Sequence, residues 1–96
     1  MAIDRPRGSR HPQWPDFVYP VDYGYLTGTR AMDGGGIDVW CGSLPERRVT
    51  GVILAIDLLK RDAELKLLVG CTPEEADAAL AASNRGSQAA LLLRRP

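Results

Sequence analysis

The chain has 96 residues, of which 45% are hydrophobic, so it has enough apolar material for one modest core and not for two. The net charge is zero, which argues against a nucleic-acid binder, because affinity for a phosphate backbone comes from excess lysine and arginine. No apolar run is long enough to span a bilayer, and the arginine-rich N-terminus does not have the form of a secretory signal. We therefore expect one cytoplasmic domain, residues 1–96.

Turn-forming residues divide the first half of the chain into short segments. Residues 6–16 are rich in proline, arginine and glycine and predict an extended loop. Residues 17–26 and 36–42 predict two strands, and the Asp33-Gly34 pair between them predicts a turn. Residues 43–48 predict a second loop.

The middle of the chain predicts a hairpin. A nearly continuous apolar run at residues 49–57 predicts a central strand, and residues 63–70 predict its antiparallel neighbour. A four-residue link between them would place Asp57 and Asp62 opposite each other, with Cβ atoms roughly 5 Å apart.

That pairing of two carboxylates requires compensation. At about 4 Å and an effective dielectric constant of about 20, two carboxylates repel by on the order of 4 kcal/mol. A divalent metal ion, a shared proton, or the side chain of Lys60 or Arg61 would relieve the repulsion. The sequence leaves these alternatives open.

The last third of the chain predicts one helix and one strand. The run Thr72-Pro73-Glu74-Glu75 offers an N-cap threonine, a proline at the first helical position and a glutamate that completes a capping box. We expect the helix to end near Ser83 and residues 88–93 to form a final strand. The fold class is therefore α+β and mostly β, with one helix in the C-terminal half. Cys41 and Cys71 have no metal-binding or redox spacing and are interpreted as small buried residues.

Two tyrosines and two aspartates surround three consecutive glycines in the first half of the chain. Singly, Asp33 is typical of a turn, Asp38 of a strand edge, and Tyr19 and Tyr23 of core rings with a hydrated hydroxyl. Together, carboxylates held close to one another favour a bound cation, and tyrosine hydroxyls can donate hydrogen bonds to phosphate. The segment thus suggests a metal and phosphate site.

The order of these residues resembles the signature of the soluble, magnesium-dependent inorganic pyrophosphatases. In that family a tyrosine-proline-x-polar-tyrosine-glycine run precedes an aspartate cluster, and a later pair of aspartates is similar to Asp57 and Asp62. The likeness spans roughly residues 3 to 70. It implies a small closed or partly open β-barrel of the pyrophosphatase or oligonucleotide-binding type, acting on pyrophosphate or a related phosphoanhydride with Mg²⁺.

The resemblance and the basic N-terminal segment together give a set of candidate site residues. The implied metal ligands are Asp33, Asp38, Asp57 and Asp62, the implied catalytic residues are Asp33, Asp38 and Tyr23, and the implied phosphate ligands include Tyr19 and Tyr23. Arg5 and His11 are candidates for a replacement phosphate clamp, although His11 is also typical of an ordinary loop histidine.

Three departures from the family signature bear on activity. Gly35 stands where the family has the aspartate that helps to generate the attacking hydroxide, and Glu64 stands where it has a phosphate-binding lysine. Near the N-terminus, Gln13 and Pro15 stand near the positions of basic and acidic ligands. The alternative function is therefore a catalytically inactive domain on the same scaffold that binds a metal, a phosphorylated molecule or another protein.

Two further expectations concern partners. An oligonucleotide-binding barrel that uses the arginine-rich chain ends is a third hypothesis, and the zero net charge counts against it. The apolar run that begins at Val49 would gain from association, so we expect a homo-oligomer.

Overall fold

The computed structural model describes all of residues 1–96 and contains one six-stranded sheet and one helix. The strands are β1 (Ala2–Arg5), β2 (Asp22–Leu26), β3 (Ile37–Cys41), β4 (Val49–Asp57), β5 (Asp62–Val69) and β6 (Gln88–Arg94), and the helix is α1 (Pro73–Ser83). The predicted class, α+β and mostly β with one late helix, is confirmed. This helix does not have the length and apolarity that crossing a membrane requires.

The strands lie in the order β1-β2-β3-β5-β4-β6. Neighbouring strands are antiparallel except β3 and β5, which are parallel. Because β1 and β6 are not paired with each other, the sheet has two free edges and does not close. The family resemblance implies a closed or a partly open barrel, and the structure has the open form.

The main difference from the predicted strands lies in residues 17–26, of which only Asp22–Leu26 form a strand. Pro20 has no N–H to donate to a ladder. The preceding backbone bonds to the N-terminal loop instead, because the Tyr19 N–H donates to Ser9 O at 2.9 Å and the His11 N–H donates to Phe17 O at 3.0 Å. The chain therefore doubles back on itself and holds His11 beside Tyr19.

The core lies between α1 and the face of the sheet that we call the inner face, which carries Ile53 of β4 and Leu68 of β5. Both side chains are fully buried and pack in one cluster with Trp40 and with Ala76 and Ala79 of the helix. Small helix residues allow α1 to approach the sheet closely. The helix does not cover the end of β4 and β5 where the hairpin turns, and there the inner face becomes polar.

Both cysteines are buried and free, as the sequence predicts. Burial raises the pKa of the Cys71 thiol to about 11, so this thiol is protonated at neutral pH. A protonated thiol is a poor nucleophile and a poor metal ligand. Cys71 therefore acts as an apolar core residue.

The start of α1 has the predicted capping box and one additional contact. The Glu75 N–H donates to Thr72 Oγ1 at 3.1 Å, and the Thr72 N–H donates to Glu75 Oε1 at 2.8 Å. The Ser43 N–H also donates to both carboxylate oxygens of Glu75, at 3.1 Å. One carboxylate thus joins the helix to the loop that follows β3.

A pH dependence of stability follows from this carboxylate. Burial alone would raise the pKa of Glu75, but hydrogen bonds from Thr72 and Ser43 outweigh it and lower the pKa below its usual value. A lowered pKa means that the stabilisation is present above the unfolded-state pKa and is lost as pH falls through the folded-state pKa. We expect Glu75→Gln to reduce the urea midpoint more at neutral than at strongly acidic pH. Glu74→Gln is the control, and an equal loss at both pH values would contradict the account.

Candidate functional site

A cleft of about 800 Å³ opens between the loop of residues 11–17 and the far end of the β4–β5 hairpin. Its aromatic lining consists of His11, Trp14, Phe17, Tyr19, Tyr23 and Trp40, and its charged lining of Asp16, Asp57, Lys60, Asp62, Glu64, Lys66 and Arg85. A smaller cavity of about 450 Å³ near Pro45 and Arg95 contains no residue of the predicted site. The larger cleft is therefore the candidate site.

The aromatic wall of the cleft is built by contacts between neighbouring rings. The Tyr19 ring lies 5.5 Å from Tyr23 and 4.9 Å from Phe17, and Tyr23 lies 4.6 Å from Trp40, measured between ring centroids. Trp40 Nε1 is buried and has no hydrogen-bond partner in the protein. The two tyrosines predicted to bind phosphate thus lie in a packed aromatic cluster at the edge of the cleft.

His11 organises the loop that covers one side of the cleft. Its Nδ1 accepts hydrogen bonds from the N–H groups of Gln13, at 3.0 Å, and Trp14, at 3.3 Å. Its ring stacks on Tyr19 with 6.2 Å between centroids. Because Nδ1 is occupied by the backbone, only Nε2 remains for a ligand.

Lys66 forms the centre of a charged cluster on the inner face. Its Nζ donates to the Tyr23 hydroxyl, lies 3.3 Å from Asp38 Oδ2 and lies 3.0 Å from Glu64 Oε2. β3 and β5 produce this arrangement, because their parallel register places Asp38 directly beside Lys66, and Glu64 lies two residues earlier on the same face of β5.

The electrostatics of this cluster fix its protonation states. Burial raises the pKa of the Tyr23 hydroxyl, so Tyr23 is neutral. Burial would lower the pKa of Lys66, but its neighbours Tyr23, Asp38 and Glu64 raise it above the ordinary value. Lys66 is therefore charged at neutral pH and compensates two carboxylates.

The end of the β4–β5 hairpin has the predicted register, with Asp57 opposite Asp62. Neither Lys60 nor Arg61 forms an ion pair with these carboxylates. Instead, Asp57 Oδ1 accepts hydrogen bonds from the N–H groups of Leu59 and Lys60, at 3.0 and 3.1 Å, and from the Ser87 hydroxyl at 2.9 Å. These bonds lower the pKa of Asp57, and the bond from the Lys60 N–H has the largest effect. The hairpin is thus stabilised by backbone donors, and Oδ2 receives none of these bonds.

Three predicted site residues, Arg5, Asp33 and Asp38, are not part of the cleft lining, and Asp38 reaches it only through its ion pair with Lys66. Asp33 is exposed in the β2–β3 loop, where its Oδ1 accepts a hydrogen bond from the Gly35 N–H at 2.9 Å. Arg5 lies on the edge strand β1, opposite Tyr23 in register, and is not part of the cleft lining. The structure thus brings Tyr19, Tyr23 and His11 together with the hairpin aspartates, and it places Asp33 and Arg5 elsewhere.

The donor groups do not converge as a closed metal site. No group of three or more histidine, cysteine, aspartate or glutamate side chains is arranged to hold a metal ion. A magnesium ion held by the facing pair Asp57 and Asp62 would have two protein ligands, and water and ligand oxygens would complete its coordination. The metal-ligand roles of the four aspartates remain predictions.

The sequence interpretation missed three cationic residues of the cleft, Lys60, Lys66 and Arg85, as site residues. For Lys66 a signal was present, because Asp62, Glu64 and Lys66 alternate along β5 and therefore share one face. For Arg85 no local signal existed, since it follows α1 and reaches the cleft only through the packing of the helix on the sheet.

A comparison with solved structures gives a similar protein, an inorganic pyrophosphatase from Coxiella burnetii. The two chains share 19% sequence identity and superpose with a TM-score of 0.59. The match covers 79% of this chain and 62% of the other, so this chain spans less than two thirds of the length of that pyrophosphatase. No protein-family model and no curated protein sequence matches the chain. At this identity the comparison shows the fold alone, and the chain has a pyrophosphatase-like fold.

Proposed function

We propose that this chain binds a phosphorylated small molecule in the cleft and hydrolyses it slowly or not at all. The contacts of Lys66 are the observation that carries the proposal. An ammonium group has three N–H donors, and Lys66 Nζ has three oxygen partners, on Tyr23, Asp38 and Glu64. The position beside Asp38, where the family resemblance implies a metal ion, is thus taken by a cation that belongs to the chain.

A built-in ammonium does not replace the chemistry of a metal ion. It compensates negative charge, but it does not generate a nucleophilic hydroxide, as a metal-bound water does. Gly35 also provides no carboxylate to act as a base, and the loss of a positioned base typically costs about 10²–10⁴ in rate. Both features favour binding over turnover.

The cations available for a phosphate group are Arg85 and Lys60. Both line the cleft, and neither takes part in an ion pair within the chain. The Arg85 guanidinium lies 5.0 Å from the centroid of the Phe17 ring, which holds it over the aromatic wall. A guanidinium with free N–H groups binds two phosphate oxygens at once. We infer that Arg85 is the principal phosphate ligand.

Substitution of Arg85 tests this assignment. We expect Arg85→Gln to weaken binding of pyrophosphate by about ten- to a hundredfold, because hydrogen bonds to charged groups are worth about 1.5–3 kcal/mol. Isothermal titration calorimetry measures the change. Arg30→Gln is the matched control, since Arg30 is an exposed arginine of the β2–β3 loop and is not part of the cleft lining. Equal weakening by both variants would contradict the assignment.

Magnesium-dependent hydrolysis of pyrophosphate or a related phosphoanhydride is the second candidate function. The observation that favours it is the facing pair Asp57 and Asp62 at the cleft, with Asp57 Oδ2 free of the hairpin hydrogen bonds. Two carboxylates with water and phosphate oxygens meet the usual preference of Mg²⁺.

Phosphate release from pyrophosphate, with and without Mg²⁺, separates the two candidates. The assay compares the wild type with Asp57→Asn, which keeps an acceptor oxygen for the hairpin N–H groups and removes the charge. Binding without release above the background of the variant would support a binding domain. Magnesium-dependent release that disappears in Asp57→Asn would establish hydrolysis at this cleft and overturn the proposal.

Restoring the missing carboxylate gives a complementary prediction. A Cβ at Gly35 would meet only Asp33 Oδ1, at 3.5 Å, which is an ordinary contact, whereas a Cβ at Gly36 would meet Tyr25 Cδ2 at 2.8 Å. We expect Gly35→Asp to fold as the wild type does, Gly36→Asp to be less stable, and neither to release phosphate. Release by Gly35→Asp would show that the scaffold is a weakened enzyme that lacks one base.

A further inference from the structure

The side of β4, β5 and β6 that faces away from α1 is apolar over the length where all three strands pair, and we call this surface the outer face. Its five exposed large side chains are Leu54, Ile56, Leu65, Leu91 and Leu93, and its four other positions are Val52, Ala63, Leu67 and Ala89. Cross-strand pairing makes the face continuous, because Leu54 lies opposite Leu65 on one side and Leu91 on the other. An antiparallel sheet with one solvated face normally alternates apolar with polar residues, and these strands do not.

The exposure of this face is large for a chain of this size. The five large side chains are 40–66% exposed. Together they present roughly 450 Å² of apolar surface, which is the size of the largest patch on a typical monomer. The inner face has its helix and its aromatic loop, whereas the outer face has no covering element within the chain.

We propose that a second copy of this chain covers the outer face, so that the protein is a two-fold dimer of stacked sheets. The face has no charged side chain and no side-chain hydrogen-bonding group, so a complementary partner surface has to be apolar and broad. The same face of a second copy meets both conditions, and stacked sheets interdigitate when their strands cross at about 30°. Leu54, at the centre of the face, lies close to the two-fold axis and faces its counterpart.

The area agrees with what a stable dimer requires. Pairing buries about 900 Å² through the five large side chains of two copies, and the remaining positions of the face bring the total above the ~1,000 Å² typical of a specific interface. This dimer goes beyond the function proposed for the cleft and does not depend on it, because all strand residues that line the cleft except Ile56 lie on the opposite face of the sheet.

Sedimentation velocity over a concentration series, with Leu91→Glu as the disrupting variant, tests the dimer. Leu91 is 66% exposed, so a glutamate is accommodated in the monomer but would be buried without a partner in the dimer. We expect a concentration-dependent dimer for the wild type and a dissociation constant at least about tenfold higher for Leu91→Glu. Met32→Glu, at a fully exposed position of the β2–β3 loop, is expected to dimerise as the wild type does. A wild type that sediments as a monomer at every concentration would overturn the proposal.

Disulfide cross-linking distinguishes stacked faces from pairing of the free β6 edges and does not depend on whether Leu91→Glu folds. Cys41 and Cys71 are buried, so a cysteine introduced at position 54 is the reactive thiol. We expect Leu54→Cys to form covalent dimers on mild oxidation and Met32→Cys to form few. Stacking through this face would be excluded if only Met32→Cys formed covalent dimers efficiently. It would also be excluded if Leu54→Cys formed none in a sample that is dimeric.

Discussion

Replacement of Ile53 by alanine is expected to lower the free energy of unfolding by about 2–5 kcal/mol, the usual range for a buried isoleucine. Ile53 is 0% exposed and lies on β4, which pairs with both β5 and β6. Its cross-strand neighbours are Lys66 and Leu92. A cavity at this position therefore loosens the contact between α1 and the sheet and also the strand that carries the Lys66 cluster.

Urea denaturation followed by far-ultraviolet circular dichroism measures this loss. The control is Leu59→Ala, since Leu59 is an aliphatic side chain that is 84% exposed at the hairpin turn. We expect the control to change the free energy of unfolding by less than about 0.5 kcal/mol. A 96-residue domain has a total stability of only about 5–15 kcal/mol, so Ile53→Ala will be partly unfolded at physiological temperature if the wild type lies at the low end. Equal losses for both variants would contradict the assignment of the core.

Lys66→Met is expected to destabilise the protein by about 1–3 kcal/mol at neutral pH, between the values for exposed and buried ion pairs. Methionine keeps most of the volume of lysine but removes the charge that compensates Asp38 and Glu64. Those two side chains are 31% and 37% exposed, so water screens the remaining repulsion only in part. The phenol of Tyr23 also loses its charged donor.

The same variant is expected to acquire a response to magnesium. Two carboxylates without their ammonium form a site of the kind that Mg²⁺ binds together with water. The melting temperature of Lys66→Met should therefore rise with added magnesium chloride, relative to sodium chloride at equal ionic strength, while that of the wild type does not change. Lys60→Met is the matched control, because Lys60 lines the same cleft and forms no ion pair. Equal stabilisation of the wild type by magnesium would show that Lys66 does not replace the metal.

The elements predicted most accurately from the sequence are those with a strong local signal. β4 has the predicted bounds because its apolar run is long, and α1 begins after Thr72 because the capping box and Pro73 fix its first turn. β2 is shorter than predicted because Pro20 and the hydrogen bonds of the N-terminal loop compete with the ladder. The sheet order was not accessible, since nothing local indicates that β3 pairs with β5 across β4.

The sequence predicted part of the candidate site. It missed the contacts that depend on how distant strands pair. The order of Tyr19, Tyr23, Asp57 and Asp62 along the chain indicated residues that do line one cleft. The ion pair between Asp38 and Lys66 was missed because it joins residues 28 apart through the parallel pairing of their strands. A charged residue in a sequence does not indicate which residue it pairs with when the two lie on strands that are joined by a crossover connection.

The strand order also has a consequence for the order of folding. β4 and β5 are joined by a short turn and can pair quickly, whereas the chain between β3 and β5 includes all of β4, so their pairing closes a longer loop. Closing a longer loop is entropically more costly, so we expect the parallel pairing to form after the hairpin. We infer that the contact between Asp38 and Lys66 forms after the rate-limiting step of folding. Changes at Lys66 are then expected to accelerate unfolding and to leave the refolding rate nearly unchanged. Stopped-flow measurements on Lys66→Met would test this expectation. The part of the molecule that holds the charged cluster is then the last to be assembled as the chain folds.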